Sequence, residues 1–333
     1  MRRDIWLLAI IIILGVALRV AVLVFIAPFY PPIDVYVVDQ QAPRTILNLQ
    51  NPYDYIFSVH HYTLTTFAYL PMVSIYYIPF LVLGDIRYGN IFADVIIMLA
   101  LYWIAKSFNC KTAVYSSFAF AVFPISLWLT SGAATNMMIG TAFIMLSLAM
   151  LLQKRFLFSS VLLGLAVASN QLVALTFPLF GYYFWRQGKF KAFLPSLLTA
   201  TAITLPFFLL SPSKFIYSTI LFQFVRPLQA DGRYSLYSII ATSLHVQLNT
   251  IIRVILFIVP YLLMAFWSRQ RRDLFVLSIG VILFWAAFVL PIDGLYNYFL
   301  PSLAVGCLVF PFFGDWVDRK MQDDKLWPHF FDD

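Results

Sequence analysis

Apolar residues fill this chain in long runs that short polar junctions separate. A helix needs about 20 predominantly apolar residues to cross a bilayer. Runs of about that length occupy positions 5–27, 89–107, 112–131, 135–152, 191–210, 248–267, 273–291 and 295–313. The run 157–185 is too long for one helix and carries Ser169, Asn170 and Gln171 at its middle. We predict two short helices there, which meet in a polar turn, and therefore about ten membrane-spanning helices in an all-α protein.

The segment 67–84, FAYLPMVSIYYIPFLVLG, is the exception to this threading. It is apolar enough to be a span, but Pro71 and Pro79 oppose a straight lipid-facing helix. If it crossed the membrane, most of the basic junctions that follow it would change sides. We predict that it lies along the outer membrane face or re-enters without crossing, as an amphipathic or re-entrant helix.

Basic residues cluster at alternate junctions, which the positive-inside rule places in the cytosol. These residues are Arg2, Arg3, Lys106, Lys111, Lys154, Arg155, Arg186, Lys189, Lys191, Arg269, Arg271, Arg272, Arg319, Lys320 and Lys325. Both termini are then cytosolic, and two external loops remain at 28–88 and 211–247. The first run is too long for the apolar region of a signal peptide, so we predict that it is retained. Residues 1–313 form a single membrane domain, and 314–333 form a polar cytosolic tail.

The composition agrees with a multi-pass integral membrane protein. Hydrophobic residues make up 62% of the chain and charged residues only 11%, against roughly 25% charged residues in soluble domains. The net charge is +7, but the basic residues do not cluster on one soluble face, so we predict no nucleic-acid partner. Cys110 and Cys307 lie far apart in or beside apolar runs, and we expect both to be free thiols.

The acidic residues are all aspartates, so a carboxylate base in this protein must be an aspartate. The aspartates outside the predicted spans and the cytosolic segments are Asp34, Asp39, Asp54, Asp85, Asp231 and Asp293. The sequence PPID can begin a helix. A helix over about 33–49 would turn Asp39 about 140° away from Asp34, at 100° per residue. Each of these two aspartates either takes part in chemistry or only caps or solvates a surface helix.

An external aspartate could accept a proton from a hydroxyl in a displacement reaction, and cations of the external loops could then balance the leaving group. The residues of this kind are Arg44, Arg87, Lys214, Arg226 and Arg233. Arginine presents a planar fork that suits phosphate oxygens, although an arginine that only reaches for the membrane interface is the alternative. Arg19 differs because it lies inside the first run, where burying its charge costs at least ~2.5–3.5 kcal/mol. We expect it to have a partner, with Asp94 the candidate for a structural pair and a direct ligand contact the alternative.

The histidines give no metal site of the usual spacing. His60 and His61 are adjacent, so their side chains diverge, while His245 and His329 lie far from them. A divalent cation held through oxygen ligands by Asp34 and Asp39 is the alternative that the residues leave open. We therefore assign neither a metal nor another cofactor.

Several short motifs follow one another in order along the chain. Arg19 in the first run is followed by PPIDVYVVDQQA, then NPY, then FAYLPMVSIYYIPFLVLGDIRYGN; LFSSVLLGLAVASNQLVALTFPL and NYFLPSLAVG come later. Their order and spacing over most of 10–305 resemble the GT-C superfamily, polytopic glycosyltransferases that use polyprenyl-phosphate-linked sugars, and mannosyltransferases among them. The chain departs from the family's motifs at Gln50, Leu70 and Asn170, and SGAATN (131–136) lacks an acid that many members carry there.

The resemblance implies a membrane enzyme with its active site on the extracytoplasmic face. It would transfer a sugar with inversion from a polyprenyl-phosphate-linked donor to a glycan, lipid or protein acceptor. Asp34 would be the base and Asp39 the second catalytic candidate. The residues expected to hold the donor phosphate are Arg226, Arg233 and Arg44. The residues expected to face the substrate or its lipid tail are His60, His61, Tyr69 and Asn170.

Two other functions remain open from the sequence. A transporter or flippase of lipid-linked sugars would predict inverted repeats and broken helices at the membrane midplane, and no internal repeat is visible. A non-catalytic scaffold subunit of a membrane complex fits the missing acid of SGAATN. Membrane lipids, and partner subunits in the scaffold case, are the expected partners.

Overall fold

The computed structural model is helical apart from one short hairpin, and it describes residues 2–30, 33–59, 63–225, 234–268, 271–292 and 295–313. The α-helices are α1 (Arg2–Ala21), α2 (Asp34–Leu47), α3 (Pro71–Leu81), α4 (Arg87–Ser107), α5 (Val114–Val122), α6 (Pro124–Leu127), α7 (Met137–Leu152), α8 (Phe156–Val167), α9 (Gln171–Ala174), α10 (Phe177–Arg186), α11 (Leu194–Leu210), α12 (Pro212–Ile216), α13 (Phe222–Val225), α14 (Leu236–Leu244), α15 (Thr250–Trp267), α16 (Arg272–Val289) and α17 (Leu300–Gly306). The strands are β1 (Phe57–Val59) and β2 (Thr63–Thr65), and short 3₁₀ or π segments occupy Val22–Ile26, Ala27–Phe29, Pro52–Asp54, Trp128–Gly132, Phe190–Phe193, Tyr217–Leu221 and Tyr296–Phe299.

Long apolar helices make the chain an integral membrane protein. Among the described residues, six are long and apolar enough to cross a membrane: Arg3–Phe29, Arg87–Ser107, Phe190–Leu210, Thr250–Trp267, Arg272–Val289 and Tyr296–Phe313. The pair Val114–Val122 and Pro124–Gly132, bent by 61°, makes a seventh if it counts as one span. The ten predicted spans are therefore not confirmed, because several of the predicted runs form shorter helices.

The helix break predicted within 157–185 is present. Helix α8 ends at Val167, a turn holds Ser169 and Asn170, and α9 and α10 follow. The side-chain oxygen of Asn170 caps α9 by accepting hydrogen bonds from the backbone N–H groups of Leu172 and Val173, at 2.8 and 3.2 Å. A polar residue at this point therefore ends one helix and begins the next.

The core of the bundle is built around α7. Fourteen of its 16 residues are buried, and it packs against α4, α8 and α17. A helix that is apolar on all sides is expected to be buried on all sides. By contrast, α11 and α15 keep most of their apolar side chains exposed, which suits a hydrocarbon solvent.

A smaller layer covers one end of the bundle, and we call it the cap (residues 33–59 and 63–86). It contains α2, the antiparallel β1–β2 hairpin in which Phe57 pairs with Thr65 and Val59 with Thr63, and α3. Val38, Tyr53, Phe67 and other buried side chains of the cap form a second core that also includes Ile139 of α7 and Phe215 of α12.

Helix α3 accounts for the apolar segment that did not fit the threading. Pro71 occupies its first turn, where a missing N–H costs little. Its 11 residues extend about 16 Å, well short of the roughly 30 Å of a hydrocarbon core. A straight crossing by α3 is excluded by its length, while its position on the outer membrane face stays a prediction.

The predicted pair of Arg19 and Asp94 is present and joins α1 to α4. Both side chains are fully buried, and the Nε of Arg19 donates to the Asp94 carboxylate. Four further acceptors surround the guanidinium: the carbonyl oxygens of Gly15, Phe120 and Ala121 and the hydroxyl of Ser126. The structural role expected for Arg19 therefore has a complete geometric basis.

Candidate functional site

Two adjoining cavities lie between the cap and the bundle. The first, the polar cleft, has a volume of about 30 Å³ and is lined by Asp34, Thr66, Asn136 and Asn297 among others. The second, the apolar pocket, has a volume of about 280 Å³ and is lined by Asn170, Gln171, Leu172, Leu175, Ile220 and Leu290 among others. Tyr69, Met137 and Tyr298 line both cavities. One side of this composite site is therefore polar and acidic, and the other is apolar.

Asp34 is the carboxylate of the polar cleft. It is the first residue of α2, as the PPID sequence predicted, and its side chain is exposed. One carboxylate oxygen accepts a hydrogen bond from the backbone N–H of Val35 at 2.8 Å. The partial positive charge at a helix N-terminus favours a carboxylate in this place. Asp34 thus combines access to a ligand with a fixed place at the start of a helix.

Asp39 lies one and a half turns farther along α2 and is fully buried. Neither of its carboxylate oxygens has a hydrogen-bond partner in the structure. Burial raises the pKa of Asp39 well above its ordinary value; the nearby Asn136 amide opposes this rise, and the negative charge of Asp34 adds to it. The two aspartates lie on different faces of α2, as the helical rotation predicted, and Asp39 does not line either cavity.

Three further polar side chains of the cleft have unused hydrogen-bonding atoms. Asn136 Nδ2, Asn297 Oδ1 and Thr66 Oγ1 are buried and have no partner among the described residues. Asn297 Nδ2 donates to the hydroxyl oxygen of Thr135 at 3.0 Å. Sequence reasoning missed all three, although Asn136 belongs to the SGAATN segment and Asn297 to the NYFLPSLAVG motif.

The junction with the apolar pocket is held by amide side chains. Gln171 Nε2 donates to the carbonyl oxygens of Ala68 and Thr219, at 2.9 and 3.2 Å, and so joins the cap to the bundle. Asn170 approaches α7 closely because Gly140 faces it: a Cβ at position 140 would lie 2.7 Å from the Cβ of Asn170. Of the residues expected to form the site, the structure brings together Asp34, Tyr69 and Asn170 along these two cavities.

The structure describes one of the three predicted phosphate ligands, Arg44. Arg44 is exposed in the last turn of α2 and lines neither cavity. Arg226 and Arg233, like His60 and His61, lie outside the described residues. In the part of the chain that the structure describes, no lysine or arginine lines either cavity.

Arg253 is a buried cation that the sequence analysis overlooked. It lies in the first turn of α15 and is only 1% exposed. Its guanidinium donates to the Leu290 carbonyl oxygen at 2.6 Å and to Thr250 Oγ1 at 2.9 Å, and it faces the rings of Phe224 and Tyr237. Leu290 and Phe224 also line the apolar pocket, so Arg253 lies behind its wall. The sequence feature that could have identified Arg253 is an arginine at the start of an apolar run.

The residues of the cleft do not assemble a metal site. Within the described ranges, no three His, Cys, Asp or Glu side chains converge in a way that could hold a metal ion. The two oxygen ligands considered for a divalent cation, Asp34 and Asp39, have different surroundings, one exposed and one enclosed. We therefore derive no step through a metal ion.

Comparisons with known proteins show a solved structure with a similar fold. No protein-family model matches the chain, and no curated protein matches it. The crystal structure of the oligosaccharyltransferase from Archaeoglobus fulgidus in the apo form is similar, with a TM-score of 0.56 and 13% sequence identity over 96% of this chain and 52% of that one. The chain thus spans about half the length of the solved protein. At this identity the likeness concerns the fold, and it supports the GT-C-like membrane fold that the motifs predicted.

Proposed function

We propose that this protein is a membrane glycosyltransferase of GT-C type that takes its sugar from a polyprenyl-phosphate-linked donor. One observation carries the proposal: the polar cleft with Asp34 and the apolar pocket share Tyr69, Met137 and Tyr298. Such a composite site suits a molecule with a polar head and a long apolar tail. The GT-C-like fold and the order of the motifs agree with a lipid-linked sugar as that molecule.

The lipid part of the donor would lie in the apolar pocket. Its lining offers leucine, isoleucine and aromatic side chains, and its polar groups, Asn170 and Gln171, are already engaged in hydrogen bonds. The isoprene units next to the phosphate would pass there from bilayer hydrocarbon, so their binding would depend on close packing against these side chains and not on release from water. The sugar would then enter the polar cleft beside Asp34.

Transfer would need one base and no covalent intermediate. Asp34 would accept the proton of the acceptor hydroxyl as its oxygen attacks the anomeric carbon of the sugar. The bond between that carbon and the phosphate oxygen would break, and its electron pair would leave on the polyprenyl phosphate. A single displacement of this kind inverts the anomeric configuration.

The leaving phosphate would need cations. We assign this role to Arg226 and Arg233, as the resemblance implies, since an arginine fork binds phosphate oxygens in a bidentate way. Arg253, behind the pocket wall, would add a fixed positive charge from a guanidinium whose Nε makes no hydrogen bond in the structure. Arg44 would contribute only if it moved from the position that the structure shows. The positive-inside rule would place the site on the extracytoplasmic face.

The direct test is sugar transfer by the purified protein in lipid nanodiscs. Radiolabelled dolichyl phosphates carrying mannose, glucose, galactose or N-acetylglucosamine would each be offered with alkyl glycoside, lipid and peptide acceptors. We expect release of dolichyl phosphate together with a glycoside of inverted configuration for at least one donor. Absence of transfer from every donor would make the non-catalytic scaffold the better interpretation. Movement of an intact donor across a liposome bilayer, without cleavage, would favour the flippase.

A further inference from the structure

The walls of the polar cleft hold hydrogen-bonding atoms that have no partner among the residues that the structure describes. Asn136 Nδ2 is supplied by the residue before α7, Asn297 Oδ1 by the segment before α17, and Thr66 Oγ1 by the cap. A buried polar group without a partner costs free energy, and native proteins keep few of them. Three around one small cavity indicate that something other than the protein completes them.

The local backbone around Asn136 is also unusual. Ala134, two residues earlier, has a φ of 54°, in the left-handed region that an alanine seldom occupies. The turn places Asn136 at the cleft, and behind it Thr135 Oγ1 accepts a hydrogen bond from Asn297 Nδ2. That bond leaves the other atom of the Asn297 amide, Oδ1, available. Strain of this kind persists where the surrounding structure enforces it, and it is concentrated at binding and catalytic sites.

The chemical types of these atoms select among ligands. Asn136 offers an N–H donor, Asn297 a carbonyl acceptor, and Thr66 a hydroxyl that can do both. Neighbouring hydroxyl groups on a sugar ring each donate and accept, so they match this set. A phosphate would find only donors useful and would meet Asn297 Oδ1 and the Asp34 carboxylate, while a lipid tail would use none of the three.

We propose that Asn136, Asn297 and Thr66 form a subsite that binds the hydroxyl groups of the sugar carried by the lipid donor. The proposal rests on the function proposed above and specifies where the transferred sugar is recognised. The donor's sugar is favoured over the acceptor because the cleft adjoins the apolar pocket, and Tyr69, Met137 and Tyr298 line both cavities. A head group in the cleft would then lie next to the tail that occupies the pocket.

The subsite must widen when it is occupied. Its volume of about 30 Å³ leaves room for one or two water molecules, each of which needs about 10–15 Å³, and a hexose is several times larger than a water molecule. Thr66 belongs to the cap and Asn136 and Asn297 to the bundle, so the movement that makes room separates the cap from the bundle. Asp39 lies behind the same wall with its carboxyl facing the Asn136 amide, so it is a positioning residue for that amide.

The test compares donor lipids with and without their sugar. Equilibrium binding to the protein in nanodiscs would be measured for dolichyl phosphate and for dolichyl phosphates bearing mannose, glucose, galactose or N-acetylglucosamine. For the wild type we expect at least one sugar-bearing lipid to bind about tenfold more tightly than dolichyl phosphate, equivalent to about 1.4 kcal/mol. Asn136→Leu and Asn297→Leu, which keep the side-chain size, should each remove most of that difference and leave dolichyl phosphate binding unchanged.

A matched control and a second variant keep the result unambiguous. Asn48→Leu removes an exposed amide of the cap, outside both cavities, and should behave as the wild type. Thr66→Val keeps shape and removes only the hydroxyl, so it reports on the subsite even if an asparagine variant fails to fold. Equal preference in the wild type and all three cleft variants would overturn the subsite alone. Absence of any binding of all the lipids to the wild type would overturn the proposed donor class as well.

Discussion

Two clusters of buried polar groups within the same apolar protein are built in opposite ways. In the first, the five N–H donors of Arg19 meet five acceptors, and Thr130 donates to Asp94 as well. Asp94 Oδ1 is its one unpaired atom in the described structure. In the second, at the polar cleft, both Asp39 oxygens, Asn136 Nδ2, Asn297 Oδ1 and Thr66 Oγ1 are unpaired within the same described residues.

The difference separates a structural from a functional use of polarity. The Arg19 cluster joins α1, α4 and the α5–α6 bend, and its groups have little left to offer a ligand. The cleft cluster lies where two layers meet and keeps its capacity to bind. In a lipid solvent, where no water can satisfy exposed polar groups from outside, the completeness of hydrogen bonding is therefore a guide to function. Four measurements can break or sharpen this contrast.

The largest effect is expected for Asp34→Asn. The variant keeps the shape of the side chain and its place at the start of α2 but cannot accept the acceptor's proton. General-base catalysis contributes typically 10²–10⁴-fold, so turnover with the active donor should fall by about that factor, while the unfolding midpoint stays unchanged. Turnover and unfolding would be measured on the same nanodisc sample. Asp54→Asn, on an exposed aspartate outside both cavities, is the control. Wild-type turnover in Asp34→Asn would end the assignment of this base.

The reverse pattern is expected for Asp94→Asn. The substitution leaves the Arg19 charge buried without its counter-charge, a situation that costs about 3–5 kcal/mol in proteins. The free energy of unfolding in mild detergent should fall by about that amount, with turnover per folded molecule unchanged. The double variant Arg19→Met with Asp94→Leu removes both charges and should recover most of the loss. If the single variant lost turnover but not stability, the first cluster would be functional after all.

A smaller effect is expected from Asp39, and it depends on pH. Burial raises the pKa of Asp39 above its ordinary value of 3.8. The folded state therefore holds the proton more tightly than the unfolded state does. Its stabilising contribution is complete below pH 3.8 and is lost as the pH rises through the raised folded value. Within that window the free energy of unfolding should fall by about 1.4 kcal/mol per pH unit.

Asp39→Asn should remove this slope because the amide does not titrate. Unfolding of both proteins would be measured at intervals from pH 4 to pH 9, and the variant should become the more stable of the two as the pH increases. Asp85→Asn, with an aspartate that forms a surface pair with Arg87, provides the control for removal of a carboxylate from the cap. Parallel curves for the wild type and Asp39→Asn would show that Asp39 is solvated in the folded protein.

The two clusters also show which structural features could be predicted from the sequence. The Arg19–Asp94 pair was predictable because a charge inside an apolar run needs a partner, and Asp94 lay in the following predicted span. Helix α2 was predictable from PPID, and the rotation from Asp34 to Asp39 followed from helical geometry. The unpaired atoms of Asn136 and Asn297 were not predictable, since a missing partner depends on which side chains pack around an amide. Arg253 was not predicted, because an arginine near the start of an apolar run is equally typical of a side chain that reaches for the membrane interface.

The number of predicted spans also differs from the number of helices in the described structure that are long enough to cross a membrane. Helices α7, α8 and α10 have 16, 12 and 10 residues, and all three are shorter than the roughly 20 residues that a crossing needs. Asn170 caps α9 after the break, and Gly140 lets the turn approach α7. A hydropathy pattern gives the length of an apolar run, but it does not show whether the run folds back against a buried helix.

The smallest effect is expected at the exposed pair of Asp54 and Lys214, which lies in neither cluster. Their side chains are 39% and 58% exposed, and Lys214 Nζ lies 2.9 Å from Asp54 Oδ1. Hydrogen bonds from Lys214 and Ser211 lower the pKa of Asp54 from its ordinary value of 3.8. The ionised Asp54 therefore contributes to the free energy of unfolding above pH 3.8, and this contribution is lost as the pH falls below that value. Solvent screens such a pair, and it contributes typically 0.2–1 kcal/mol.

Lys214→Ala should therefore lower the free energy of unfolding by less than about 1 kcal/mol and leave the affinity for dolichyl phosphate unchanged. Arg226→Ala removes a proposed phosphate ligand and should weaken that affinity. Salt provides the remaining check, because the Lys214 effect should vanish at 1 M NaCl while that of Asp94→Asn persists. If Lys214→Ala weakened lipid binding as much as Arg226→Ala, the phosphate would be held at the exposed pair, and the separation between ligand-binding and structural polar groups would have to be redrawn.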